Sequence, residues 1–228
     1  MKVMLLAAGV GERMRPLTDH TPKPMLKVQG LPLLEHHIRR LVAAGFTDLV
    51  INVSHLAQQI VDYFSDGSRW GASIVWSCEA QPLETAGGII NALPLLGEAP
   101  FLVVNGDIWT DYPFARLKDV VPESNAGAHL VMVGNPPQHP CGDFVLDQEG
   151  KLNPRLPDES GLTYAGLAVY TPGFLSDVAA GALPLRPLLD RAIERHCLFG
   201  EYYPGEWVDV GTPERLSQLN AAKGDRDL

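Results

Sequence analysis

Three stretches of this sequence gather residue types that handle phosphate and divalent metal. The first, Leu6-Ala7-Ala8-Gly9-Val10-Gly11-Glu12-Arg13-Met14-Arg15-Pro16, joins small residues to two glycines and two arginines. Glycine lets a backbone approach a ligand closely and turn successive N–H groups toward an anion. Just downstream, Thr21-Pro22-Lys23-Pro24-Met25 sets a lysine between two prolines. Proline fixes its own φ and restricts its predecessor, so Lys23 is expected on a stiff, extended segment. A stiffly presented cation beside an amide-lined turn suits a polyphosphate. In the second stretch, Val103-Val104-Asn105-Gly106-Asp107, a carboxylate leaves a buried strand through a permissive glycine. The third is Glu206-Trp207-Val208-Asp209-Val210-Gly211-Thr212-Pro213. Its alternation predicts a short strand with Trp207 and Asp209 on one face, then a helix with Thr212 as N-cap and Pro213 at N1. Magnesium takes one or two carboxylates together with phosphate oxygens and water. Asp107 and Asp209 are therefore the metal candidates, and Arg13 and Lys23 the fixed cations. Plainer readings stay open for each: a tight turn, a capping acid, a braced corner.

Two familiar phosphate-binding loops do not fit. A dinucleotide loop wants a third glycine where Met14 stands, and an acid where the second strand ends in Asn52-Val53-Ser54-His55. A P-loop needs Gly-Lys-Ser/Thr, which is absent. The seven histidines show no ligand spacing and read as surface or packing residues.

Such groups need strand ends to hold them. Val3–Leu6, Asp48–Val53, Ala72–Ser77 and Phe101–Asn105 read as buried strands. Between them, Leu34–Val42 (stopped by Gly45), Leu56–Phe64 and Ala86–Leu93 (ending near Pro94) have helical periodicity. Four alternations of strand and helix predict a Rossmann-like, doubly wound α/β sheet. Beyond about residue 110 the pattern turns mixed. Strands are expected at His129–Val133, Phe144–Leu146 and Leu162–Tyr170, and helices near Leu185–Arg195 and Pro213–Ala222. We read one domain over 1–228, with a half of about 1–110 and a second half of about 111–228.

Composition narrows the classes. The 228 residues carry a net charge of −9, which argues against non-specific nucleic-acid binding. Cys78, Cys141 and Cys197 have no CxxC spacing, so reduced, buried thiols are expected rather than a disulfide or zinc site. The apolar start is too short for a signal peptide, and no run reaches the ~20 apolar residues of a membrane span. A cytoplasmic protein is the expectation.

Taken together, Leu6 to Arg13, Pro16-Leu17-Thr18 and Pro22-Lys23-Pro24-Met25 resemble the signature of the sugar-1-phosphate nucleotidyltransferase family. The resemblance runs along the whole chain. It implies a glycosyltransferase-A-like mixed sheet with a smaller sugar-binding lobe, a magnesium cofactor, and UTP and a sugar 1-phosphate as substrates. By the same resemblance, Leu6, Ala8, Gly9, Gly11, Glu12, Arg13, Lys23, Gln81, Gly87 and Asn105 bind nucleotide. Arg13 and Lys23 act in catalysis, and Asp107 and Asp209 hold the metal. Gly142, Asp143, Tyr164 and Gly166 meet the sugar. Two departures stand out. Glu84 replaces the first glycine of the usual Gly-Thr-Ala-Gly, and Asn153-Pro154-Arg155-Leu156-Pro157 stands where many relatives have Glu-Lys-Pro, leaving Arg155 as the substitute for a phosphate-holding lysine. The short length, Leu83-Glu84-Thr85-Ala86-Gly87-Gly88 and Gly142-Asp143-Phe144 most resemble the branch that uridylylates N-acetylmuramate 1-phosphate in cell-wall recycling. The alternatives are a mannose- or glucose-1-phosphate nucleotidyltransferase, a catalytically silent nucleotide-sugar-binding subunit, or a glycosyltransferase. The last would want Asp-x-Asp where Asp107-Ile108-Trp109 stands.

Overall fold

The computed structural model describes residues 1–176 and 178–224. The first half alternates as its periodicity demands: β1 (Val3–Leu6), a two-residue ribbon β2 (Lys27–Val28) and β3 (Leu31–Pro32), α1 (Leu33–Ala43), β4 (Asp48–Val53), α2 (Ala57–Phe64), β5 (Ser73–Cys78), α3 (Glu84–Leu96) and β6 (Phe101–Asn105). The second half follows with β7 (Ile108–Thr110), β8 (Ala128–Val133), β9 (Phe144–Leu146), β10 (Leu152–Pro154), β11 (Thr163–Tyr170), α4 (Arg186–Glu194), β12 (Leu198–Tyr203), β13 (Trp207–Asp209) and α5 (Pro213–Gly224).

Seven strands form one continuous sheet in the order β12-β8-β11-β6-β1-β4-β5. β5, β4, β1 and β6 are mutually parallel, and β12 is parallel to β8. β11 runs antiparallel between β6 and β8 and so splices the two halves of the chain into a single layer.

Alternation along each strand sorts the core into two faces. Val3, Leu5, Leu49, Ile51, Leu102 and Val104 point to one side, where α1 contributes Leu34, Ile38 and Leu41, and α2 contributes Ile60 and Phe64. Met4, Val50 and Val103 point to the other, where α3 supplies Ala86, Ile89 and Ala92, and α4 supplies Leu188 and Leu189. Helices on both faces make the sheet doubly wound. Each of the larger side chains among these contributes about 1.5–3 kcal/mol by leaving water. A third, smaller cluster lies off the sheet: Leu216 and Leu219 of α5 pack with Met14, Leu26, Val28, Leu33 and Val210.

Several expectations are corrected. α3 continues through Pro94 to Leu96, because a proline in the last turn forfeits only one backbone bond. β12 carries Gly200, Glu201 and two tyrosines instead of an apolar run, and was not foreseen. Lys23 is not extended: it opens a single 3-10 turn, Lys23–Met25, closed by Met25 N–H to the Pro22 carbonyl at 2.8 Å. Only Cys197 is buried, whereas Cys78 and Cys141 are exposed, and all three thiols are free.

Candidate active site

Everything converges on the carboxyl ends of β1 and β6, where open α/β sheets hold ligands. The two ends are stitched by the Gly106 N–H donating to the Leu6 carbonyl at 2.9 Å. A Cβ on Gly106 would lie 2.4 Å from that oxygen, so glycine is what lets the strand exits meet. The turn after β1 reverses at Gly11, whose φ of 72° favours glycine. Thr18 Oγ1 donates to the Gly11 carbonyl at 2.8 Å, and the Lys23 Cβ packs against the same residue. Residues 16–25 thus fold back over the glycine turn and bring Lys23 to it.

Lys23 is buried and its Nζ donates to Asp107 Oδ2 at 2.7 Å. Asp209 arrives from more than a hundred residues away because β13 pairs with β7. Directly beyond the ladder, the Val210 N–H donates to the Asp107 carbonyl at 2.9 Å. The two carboxylates therefore sit on adjacent, hydrogen-bonded chains. Asp209 is oriented by Arg215, whose Nη1 donates to Oδ2 at 2.5 Å. Arg215 stands at the third position of α5, and its N–H approaches the Thr212 hydroxyl at 3.4 Å, the capping geometry expected of Thr212.

Lys23 and Asp107 line a crevice of about 560 Å³, within the usual range for small-ligand sites, whereas Asp209 lies behind its lining residue Gly211. It is lined by residues 6–14 and Lys23, by residues 82–85 on the far side of β4 from them, and by Asn105–Asp107 and Gly211. Leu6, Ala8, Gly9, Gly11, Glu12, Arg13, Lys23, Asn105 and Asp107 all line it, with Arg13 exposed to solvent. Gln81 and Gly87 do not. Gln81 is exposed on the loop before α3, while Gly87 is buried with its N–H donated to the Leu183 carbonyl at 3.2 Å.

The four residues expected to meet the sugar do not line this crevice, but are linked to its edge through Gly166, which lies against Asn105. Asp143 Oδ2 accepts the Tyr164 N–H at 2.8 Å, with His139 Nε2 at 3.2 Å from the other oxygen. Gly142 has φ 70° and Gly166 φ 76°. A β-bulge between Tyr164 and Ala168 puts Gly166 against Asn105, where a Cβ would come within 2.7 Å of the amide. The bulge is fixed by Trp207 Nε1 donating to the Ala165 carbonyl at 2.8 Å, so one short strand, β13, supports both Asp209 and the sugar-side segment. Arg155 is engaged elsewhere: its Nη1 donates to the carbonyls of Leu156, Pro157 and Glu159.

The sequence model of the nucleotidyl transferase family matches residues 2–226. This chain belongs to that family. It is 47% identical over 98% of its length, and 99% of the other's, to the N-acetylmuramate alpha-1-phosphate uridylyltransferase of Neisseria meningitidis. It is 35% identical, over 92% of each chain, to the protein of the same name from Caulobacter vibrioides. A solved Bacillus anthracis structure, described as a glucose-1-phosphate thymidylyltransferase, superposes over 99% of this chain and 96% of that one, with a TM-score of 0.85 at 20% identity, and so shares the fold.

Two residues of this nucleotidyl transferase went unnoticed in its sequence. Asn52, at the polar end of β4, accepts the Ala7 N–H at 2.8 Å and donates to Glu79 Oε1 at 2.7 Å. Glu79 Oε2 then accepts the Leu83 N–H at 3.1 Å. Both side chains are buried, and the chain of bonds ties the glycine turn to the opposite wall of the crevice. One polar residue ending an apolar strand was the available signal. Among the described residues, no cluster of three or more His, Cys, Asp or Glu offers an all-protein metal site. A pair of carboxylates on neighbouring strands at the edge of a ligand-sized crevice instead fits magnesium, which completes its shell with substrate oxygens and water. No described helix is long and apolar enough to cross a membrane.

Proposed function

We propose that this protein transfers the uridylyl group of UTP to N-acetylmuramate 1-phosphate, giving UDP-N-acetylmuramate and pyrophosphate, in the cytoplasm. The observation that carries the transfer chemistry is the meeting of Lys23 and Asp107 in one crevice beside the glycine turn, with Asp209 on the strand bonded alongside Asp107. The sugar and base rest on the 47% identity, along nearly all of both chains, to the Neisseria enzyme.

An oxygen of the sugar phosphate attacks the α-phosphorus of UTP as the bond to the β-phosphate oxygen breaks. The nucleophile is already an anion, so no general base is required. The obstacle is repulsion and alignment, and catalysis is positioning with electrostatic neutralisation. The turn at Gly9 and Gly11 presents main-chain N–H groups to the triphosphate. Lys23 and Arg13 offset its charge. Asp107 and Asp209 would hold magnesium, which would supply charge neutralisation for the phosphates. Asp143 and the main chain at Gly142 and Gly166 face the sugar, with Tyr164 closing that side.

Pyrophosphate release from a panel of triphosphates and sugar phosphates tests this. UTP with N-acetylmuramate 1-phosphate is expected to give the highest kcat/KM. Turnover confined to GTP with mannose 1-phosphate would refute the substrate assignment and leave the transfer chemistry standing.

A further inference from the structure

We infer that Arg215 is a positioning residue for the metal: it holds Asp209 so that one carboxylate oxygen, Oδ1, is presented toward the crevice. The inference rests on the proposed metal role of Asp209. Three observations carry it. The Arg215 guanidinium occupies Oδ2 at 2.5 Å, leaving Oδ1 outside that bond. Both side chains are mostly buried, 16% exposed for Arg215 and 26% for Asp209, so the pair has little freedom to reorganise. Gly211, which lines the crevice, separates them in sequence, and its Cα faces the pair bare. A Cβ there would lie 2.5 Å from Arg215 Nη2 and 2.9 Å from Asp209 Oδ1. The glycine thus leaves room for the guanidinium to cross to Asp209 and keeps Oδ1 directly behind a residue that lines the crevice, with no side chain between.

The arginine is itself anchored. It sits in the first turn of α5, and that helix is held by Leu216 and Leu219 against Met14 and Leu26 of the phosphate-binding segments. Orientation of a ligating carboxylate is therefore set by the element that buttresses the glycine turn. Lysine cannot reproduce this, since it offers a point charge where arginine offers a planar fork.

Electrostatics and orientation predict opposite signs here. A cation beside a metal ligand repels the metal, so its removal would tighten metal binding if Arg215 did nothing else. Loss of orientation weakens binding, and outer-shell partners of metal ligands are typically worth about 10–100-fold in affinity. We expect orientation to win.

The test measures binding of an unreactive UTP analogue, with methylene between the α- and β-phosphates, by calorimetry with and without magnesium. The ratio of the two dissociation constants reports metal coupling without turnover. Wild type is expected to show tightening by magnesium, and Asp209→Asn to lose it. Arg215→Met is expected to lose about tenfold of it, and Arg215→Lys to recover part, with metal-free affinity changed far less. Wild-type or greater coupling in Arg215→Met, beside lost coupling in Asp209→Asn, would overturn the inference alone. Wild-type coupling in both variants would remove the metal role of Asp209 as well. Should Arg215→Met not fold, wild-type coupling in Arg215→Lys overturns the inference, and reduced coupling supports it.

Discussion

At the scale of single residues, the site depends on side chains that have no slack. Lys23 is buried against Asp107, and the triphosphate is its proposed partner on the substrate side. Lys23→Ala is expected to lower kcat/KM by about 10²–10³-fold, the usual cost of one preorganised electrostatic contact, with far-UV circular dichroism unchanged. Asn52 is the less obvious case. Asn52→Ala strands the Ala7 N–H and the Glu79 carboxylate in buried positions. Denaturant melts should show a loss of about 1–3 kcal/mol, and KM for UTP should rise because the turn loses its tie to the far wall. Lys23, Asp107 and Asp209 were legible in the sequence because rare groupings of Gly, Pro and charge surround them. Asn52 and Arg215 were not, since their partners are fixed by strand pairing and by the direction of a helix. No local spacing encodes either.

At the scale of elements, α5 and the ribbon β7–β13 do the work that the strand–helix alternation alone cannot. β13 sets the reach of Asp209 through its register with Ile108, and holds the Ala165 bulge through Trp207. Trp207→Phe keeps the apolar bulk and removes the indole donor. KM for the sugar phosphate should rise several-fold while KM for UTP stays near its original value, which steady-state kinetics can separate. Buried strands of the first half announced themselves through continuous apolar runs. Phe144–Leu146 and the alternating Trp207–Asp209 were legible as short strands too, whereas β2, β3, β7, β10 and β12 escaped, the first four for want of length and β12 because Gly200 and Glu201 break the apolar pattern. The proline inside α3 misled for a related reason: a breaker signal says where a helix weakens, not where it stops.

At the scale of the whole molecule, acid stability follows from buried ionisable groups. His37 is buried, and its Nε2 lies 2.8 Å from the Ile108 carbonyl. Burial holds its pKa down to about 4, mostly by desolvation, against the backbone bond that favours charge. The unfolded chain therefore binds more protons than the folded one between about pH 6.5 and 4. The stability from neutral His37 is fully present above about 6.5 and is lost as pH falls through about 4. His129 is shifted the same way by burial. Glu35 loses stabilisation at still lower pH: burial raises its pKa, but bonds from Trp70, Tyr63 and Arg39 outweigh that and lower it. Thermal melts should show Tm falling across that window, and His37→Gln should flatten the fall. Unchanged slopes in that variant would assign the effect to other groups.

The packing of α5 on Met14 and Leu26 has a consequence for how the protein is made. The glycine turn leaves the ribosome long before the helix that braces it. Until then Met14 and Leu26 have no apolar neighbour from α5, and Asp209 and its arginine are still to come. A nascent chain can complete its sheet and still lack the brace behind the glycine turn, so the site proposed for the triphosphate is finished only once α5 has emerged.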